Sequence, residues 1–103
     1  ALRAALTPVL GTYTRTANGF TVAITNYDTA FTWSGSATRG GSVSFSGTTN
    51  NGLATITGVA ADTGSVATIN TTRAGYQSGS VTSTSTNSLA AALTPTVGAD
   101  EVV

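Results

Sequence analysis

The stretch Asn18-Gly19-Phe20-Thr21-Val22-Ala23-Ile24-Thr25 decides the fold class. Successive side chains of a strand point to opposite faces, so Phe20, Val22 and Ile24 share one apolar face and the residues between them the other. Asn18-Gly19 stands in front of this run as a tight-turn signal, because both residue types tolerate φ > 0. A turn followed by clean alternation is the local signature of a half-buried strand entered from a hairpin.

Working outward, the same pattern recurs at near-regular intervals. Val9 to Arg15 is a first run, and 20–25 the second. Ala30 to Ala37 is the third, with Phe31 and Trp33 on one face. Gly40-Gly41 breaks the chain before Ser42 to Ser46, where Val43 and Phe45 face inward. After the loop from Gly47 to Gly52 comes Leu53 to Val59. Asp62-Thr63-Gly64 turns into Ser65 to Thr72, with Ala67 and Ile69 toward the core. A loop from Arg73 to Gly79 carries Tyr76 and leads to Ser80 to Thr86, whose one large apolar residue is Val81. Seven short strands separated by turn chemistry predict an all-β, seven-stranded antiparallel sandwich. No window shows helical periodicity with caps. The predicted core is Phe20, Val22, Ile24, Phe31, Trp33, Val43, Phe45, Leu53, Ile56, Val59, Val66, Ile69 and Val81.

Composition narrows the function classes. The 103 residues suit one domain. Only 8% are charged, net charge is zero, and the four cations Arg3, Arg15, Arg39 and Arg73 are spread along the sequence. Nucleic-acid binding needs a clustered basic footprint, and anionic membrane needs a polybasic one, so neither partner is expected. No apolar run approaches the ~20 residues of a membrane-spanning helix. The chain has no Cys, His or Lys. That removes thiolate chemistry, the commonest general base and Schiff-base formation, so no catalytic residue and no cofactor is assigned. Ser and Thr make up about a third of the chain and alternate with β-branched residues, as on a folded sheet surface.

An internal echo sets the organisation. Residues 1–11 read ALRAALTPVLG and residues 88–98 read SLAAALTPTVG. At an offset of 87, Leu2, Ala4, Ala5, Leu6, Thr7, Pro8 and Gly11 match Leu89, Ala91, Ala92, Leu93, Thr94, Pro95 and Gly98. Self-similarity at a fixed period marks an array. The division that follows is a linker over 1–5, one module over 6–87, and a linker with the start of the next repeat, or a tail, over 88–103. Any export signal is expected outside this stretch of sequence.

The segments TRTANGFTVAITNYD, FTWSGSAT, LATITGVA and TTRAGYQSGSVTSTST together resemble tandem immunoglobulin-like and fibronectin-type-III-like repeats of bacterial surface proteins, of the actinobacterial type. The resemblance implies a non-catalytic spacer or adhesin-stalk module, secreted or on the cell surface. It is expected to be monomeric in isolation, with neighbouring repeats of its own chain as partners. The alternative is a ligand-binding adhesion module that uses loop aromatics on a cell-wall or host glycan.

Candidate ligand contacts follow from that alternative. Sugar stacking needs an exposed aromatic face, and Tyr76 in its Gly-flanked loop is the first candidate, followed by Tyr27 and the adjacent Asp28. Asp28 and Asp62 both sit in turns, where Asp bonds local backbone. Asp100-Glu101 at the junction is the place to look for calcium, which takes six to eight oxygens, although no metal site is assigned. Gln77 could form an ester crosslink with a Thr. Asn70-Thr71-Thr72 has the form of a glycosylation sequon but reads as strand sequence.

Overall fold

Residues that alternate along one run must find a second apolar face, and here the partners are other strands. The computed structural model, which describes residues 1–98, is all-β, with no helix among the described residues. The described residues form nine strands: β1 (Leu10–Thr16), β2 (Gly19–Ile24), β3 (Thr32–Ala37), β4 (Ser42–Thr48), β5 (Asn51–Thr57), β6 (Gly64–Ser65), β7 (Ala67–Thr72), β8 (Gly79–Thr82) and β9 (Thr86–Asn87). They build an antiparallel four-stranded sheet β1-β2-β5-β4, a three-stranded sheet β3-β7-β8 and a two-stranded β6-β9 ribbon. Buried side chains from β2 and β5 on one side and β7 on the other meet in one core, a sandwich-like arrangement.

The count differs from the expected seven because two runs are each split. The sixth breaks at Val66, whose amide donates to the Thr38 hydroxyl at 2.9 Å while its carbonyl accepts from the Thr38 amide at 3.0 Å. Gly64–Ser65 therefore pairs with β9, and Ala67–Thr72 with β3 and β8. The last run breaks at Ser83, which closes onto Ala67 through its amide (2.8 Å) and hydroxyl (2.9 Å). The chain then crosses to the β6 side.

The core consists of Phe20, Val22, Ile24, Ala54, Ile56, Val59, Ala67 and Ile69. Trp33, Val43, Phe45 and Val81 pack around it, half-buried. Three expected core residues are elsewhere. Leu53 is 38% exposed because strand alternation turns Ala54 and Ile56 inward in its place. Val66 points away because Ser65, Ala67, Ile69 and Thr71 take the inner face. Phe31 precedes β3 and joins a surface cluster described below. The first turn also differs. Ala17 and Asn18 occupy it, while Gly19 is already extended and opens β2, where a Cβ would fall 2.0 Å from the Ile56 carbonyl oxygen.

A one-residue bulge in β1 lies between Leu10 and Tyr13, which face Ile24 and Val22. It turns Tyr13 onto Phe20, with ring centroids 5.9 Å apart.

Hydroxyl groups extend this small core. Ser65, Thr71, Ser83 and Ser88 are buried, and each is hydrogen-bonded across a segment boundary: to Thr38, Leu6, Ala67 and Ala60 respectively. No buried side-chain polar atom among the described residues lacks a partner. Satisfied bonds of this kind are worth about 0.5–1.5 kcal/mol each and cost more when left unmade. The Ser/Thr richness thus fastens loops as well as covering sheets.

The strand registers define two poles. One carries the β2–β3, β4–β5 and β7–β8 connections, with Asn50 N donating to Tyr27 O at 2.7 Å. The other carries the β1–β2 turn and residues 58–63.

Candidate functional site

The first pole brings together Phe31 and Tyr76 with two of the four arginines, Arg3 and Arg73. The Arg73-Ala74-Gly75-Tyr76 turn closes with Tyr76 N donating to Arg73 O at 3.0 Å, with Gly75 at φ 84°. Tightening the chain over three residues brings the Arg73 guanidinium to 4.9 Å from the Tyr76 ring centroid and 5.4 Å from that of Phe31. Phe31 meets Tyr76 edge-on, at 5.1 Å and 70°. Arg3 arrives from the N-terminal segment and lies 5.7 Å from the Tyr76 centroid, with its Nη1 3.4 Å from the phenolic oxygen. Cation–π contacts at exposed sites contribute about 0.5–1 kcal/mol each. Two cations distant in sequence therefore share one ring, and Tyr76 is already engaged by three side chains.

Tyr27 is placed differently. Its ring lies 4.8 Å from Trp33, and Trp33 in turn lies 6.1 Å from Phe45. Gly52 leaves the space that Tyr27 fills, since a Cβ there would meet the ring at 2.3 Å. Asp28 directs its carboxylate at the Ala30 amide (2.9 Å) and its carbonyl at Trp33 Nε1 (2.8 Å) and the Phe31 amide (3.1 Å). The three candidates therefore share a pole and are linked through Phe31. Tyr27 and Asp28 shape the turn, and Tyr76, expected as an exposed ring, is half-buried beneath its neighbours.

Other candidates scatter. Asp62, at φ 50°, lies at the opposite pole from Asp28, separated by the length of β5, on the order of 20 Å at the rise of a strand. A carboxylate pair acting on one bond needs roughly 5–9.5 Å. Asp100 and Glu101 lie outside the described residues, among which no three acidic groups gather. Gln77 is exposed in the β7–β8 loop, and its amide donates to Arg3 O at 2.9 Å. Asn70 sits mid-strand in β7, paired on both sides. The described surface carries no pocket.

Sequence reasoning missed Phe31, Arg3 and Arg73 as members of the cluster. The Arg73/Tyr76 spacing within a Gly turn was a usable signal for one of them. Nothing local in the sequence points Arg3 at Tyr76. No family model, curated protein or solved structure matches the chain.

Proposed function

We propose that the chain is an immunoglobulin-like spacer module of a tandem-repeat surface or secreted protein, without catalysis of its own. The observation that carries this reading is the placement of the two echoed segments. Residues 3–6 are held at the pole of the β7–β8 loop, through Gly75, Gln77 and Thr71. Residues 88–89 are held at the other pole, through Thr63, Asp62 and Thr16. A module entered at one end and left at the other extends an array along its long direction.

The strand order supports the immunoglobulin alternative. β1, β2, β5 and β4 stand where strands A, B, E and D stand in a constant-type domain, and β3, β7 and β8 where C, F and G stand. Trp33 then falls on strand C, the place of the family's core tryptophan. β6 and β9 are additions at the rim.

Small-angle scattering of two complete copies in tandem tests the role. An elongated particle of about twice the single-module length is expected. A compact profile would count against a spacer.

The binding alternative gains one specific observation: Arg3 and Arg73 give the Tyr76 edge a positive character suited to carboxylated sugars. Titration with uronic-acid and neutral glycans separates the two readings. Shifts at Tyr76 with the acidic set alone would favour binding, and silence in both sets the spacer.

A further inference from the structure

The first copy of the echo is seated in a groove whose contacts are nearly all to its backbone. Arg3 N donates to Gly75 O at 2.9 Å, and Gln77 N donates to Arg3 O at 2.9 Å. Thr71 Oγ1 donates to Leu6 O at 2.5 Å. Asn26 donates through Nδ2 to Thr7 O and accepts from Val9 N, both at 2.8 Å. Gly79 admits the segment, since a Cβ there would lie 2.1 Å from Leu6 O. Backbone bonding does not read sequence. What reads it are the positions withdrawn from solvent: Pro8, which is buried, and Ala5, Leu6, Leu10 and Gly11, which are half-buried.

The second copy keeps those positions. At the offset of 87 they become Ala92, Leu93, Pro95, Val97 and Gly98, four identical and one aliphatic exchange. The other three changes, Ala1 to Ser88, Arg3 to Ala90 and Val9 to Thr96, fall where the first copy is exposed, and Ser88 lies before the docking stretch, buried in its own module. The second copy has no use for these residues where it stands. Leu93 is 92% exposed and Val97 88%. Gly11 packs closely, its Cβ position 3.2 Å from Thr25 Cγ2, whereas the space around Gly98 is open. The residues are matched to a groove that this module has already filled with its own segment.

We propose that residues 90–98 dock on a second copy of the module, in the groove walled by Asn26, Thr71 and the Gly75–Gln77 loop, in the register that residues 3–11 take here. The proposal rests on the repeat reading and deepens it by naming the surface and the register. One consequence concerns the junction. Among the described residues, Leu89 is the last hydrogen-bonded to its own module, its amide donating to Thr16 O at 2.8 Å and its carbonyl accepting from Asp62 N at 3.0 Å. Ala90 corresponds to Arg3, the first residue held by the receiving module. Consecutive modules are then joined with no free residue between anchors, which makes the junction a fixed corner instead of a flexible linker.

A tandem protein in which residue 98 is followed directly by residue 12 of a second copy supplies the test, because residues 88–98 are then that copy's only first segment. Both copies are expected to fold, and the heteronuclear NOEs of amides 90–98 (Pro95 excepted) should rise to sheet-like values relative to the single chain. Leu93→Ser should unfold the second copy in the tandem protein and leave the single chain's melting temperature unchanged. An unfolded second copy beside a folded first one would overturn the docking, as would two folded copies whose residues 90–98 behave as they do in the single chain. The scattering experiment uses two complete copies, each with its own first segment, so the spacer role stands or falls there independently.

Discussion

The buried hydroxyl of Thr71, in the middle strand of its sheet, donates to the carbonyl of Leu6, 65 residues earlier in the chain. This bond fastens a segment that lies outside every strand to the strand with the most paired neighbours in its sheet. Thr71→Val keeps the shape of the side chain, removes the donor and leaves the Leu6 carbonyl unpaired. A loss of about 1–3 kcal/mol is expected, and for a domain of this size each kcal/mol is worth roughly 4–8 °C of melting temperature. Thr71→Ser should recover most of it. Amide exchange at Gln77, which bonds Arg3 in the same segment, should quicken in the Val variant alone. A Val variant with unchanged melting and exchange would mean the segment is held by its other bonds.

Arg15 performs the corresponding fastening at the opposite pole. Its Nε donates to Asn87 O at 2.9 Å and its Nη2 to Ser88 O at 3.0 Å, so one planar group spans two successive carbonyls. A lysine ammonium has the charge without the fork. Arg15→Lys is therefore expected to leave global stability nearly unchanged while loosening the exit. The readout is hydrogen exchange at Ser88 and Leu89, which bond Thr63 and Thr16. Roughly tenfold faster exchange, about 1.4 kcal/mol of local opening, is expected there and not in β2 or β5.

The parts of the fold legible in the sequence are those governed by alternation. Phe20, Val22 and Ile24 sit on one buried face as their spacing requires, and Ile56 and Ile69 join them. The misread residues are those where two neighbours were both apolar or where a hydroxyl took an inner position. Leu53 lost its place to the smaller Ala54, and Val66 to Ala67, since register counts parity and not size. Ser65, Thr71, Ser83 and Ser88 are missing from the predicted core because composition cannot distinguish a buried, bonded hydroxyl from a solvated one. At the candidate site, Tyr76 in its loop was legible from the flanking glycines. Its union with Arg3 was not, because it depends on a segment crossing that only the tertiary structure defines.

That parity argument yields a paired prediction. Ile56 is fully buried, whereas Leu53, three residues earlier in the same strand, is 38% exposed. Ile56→Ala removes core volume and should cost about 2–5 kcal/mol, a large fraction of the ~5–15 kcal/mol that holds a typical domain. Leu53→Thr puts a β-branched, strand-favouring residue on an outward position and should stay within about 0.5 kcal/mol. Urea unfolding of both variants checks the register directly, and similar losses would show that β5 is read one residue out of phase.

The two candidate tyrosines differ in what surrounds their rings, and stability measurements can separate packing from recognition. Tyr27 fills the space left by Gly52 and lies on Trp33, while Tyr76 is held at a rim by Phe31 and two guanidinium groups. Tyr76→Ala should cost about 1.5–3.5 kcal/mol, the sum of one aromatic pair and two cation–π contacts. Tyr27→Ala should cost more, because a void beside Trp33 is added to the lost contacts. Tyr76→Phe keeps the ring under Arg73 and loses only the long 3.4 Å contact from Arg3, so it should be nearly neutral. Thermal unfolding of the three variants orders them. If Tyr76→Ala melts like the parent, the ring is not a structural plug. The acidic-glycan titration then becomes the experiment that decides the role of this half-buried ring at the β7–β8 pole.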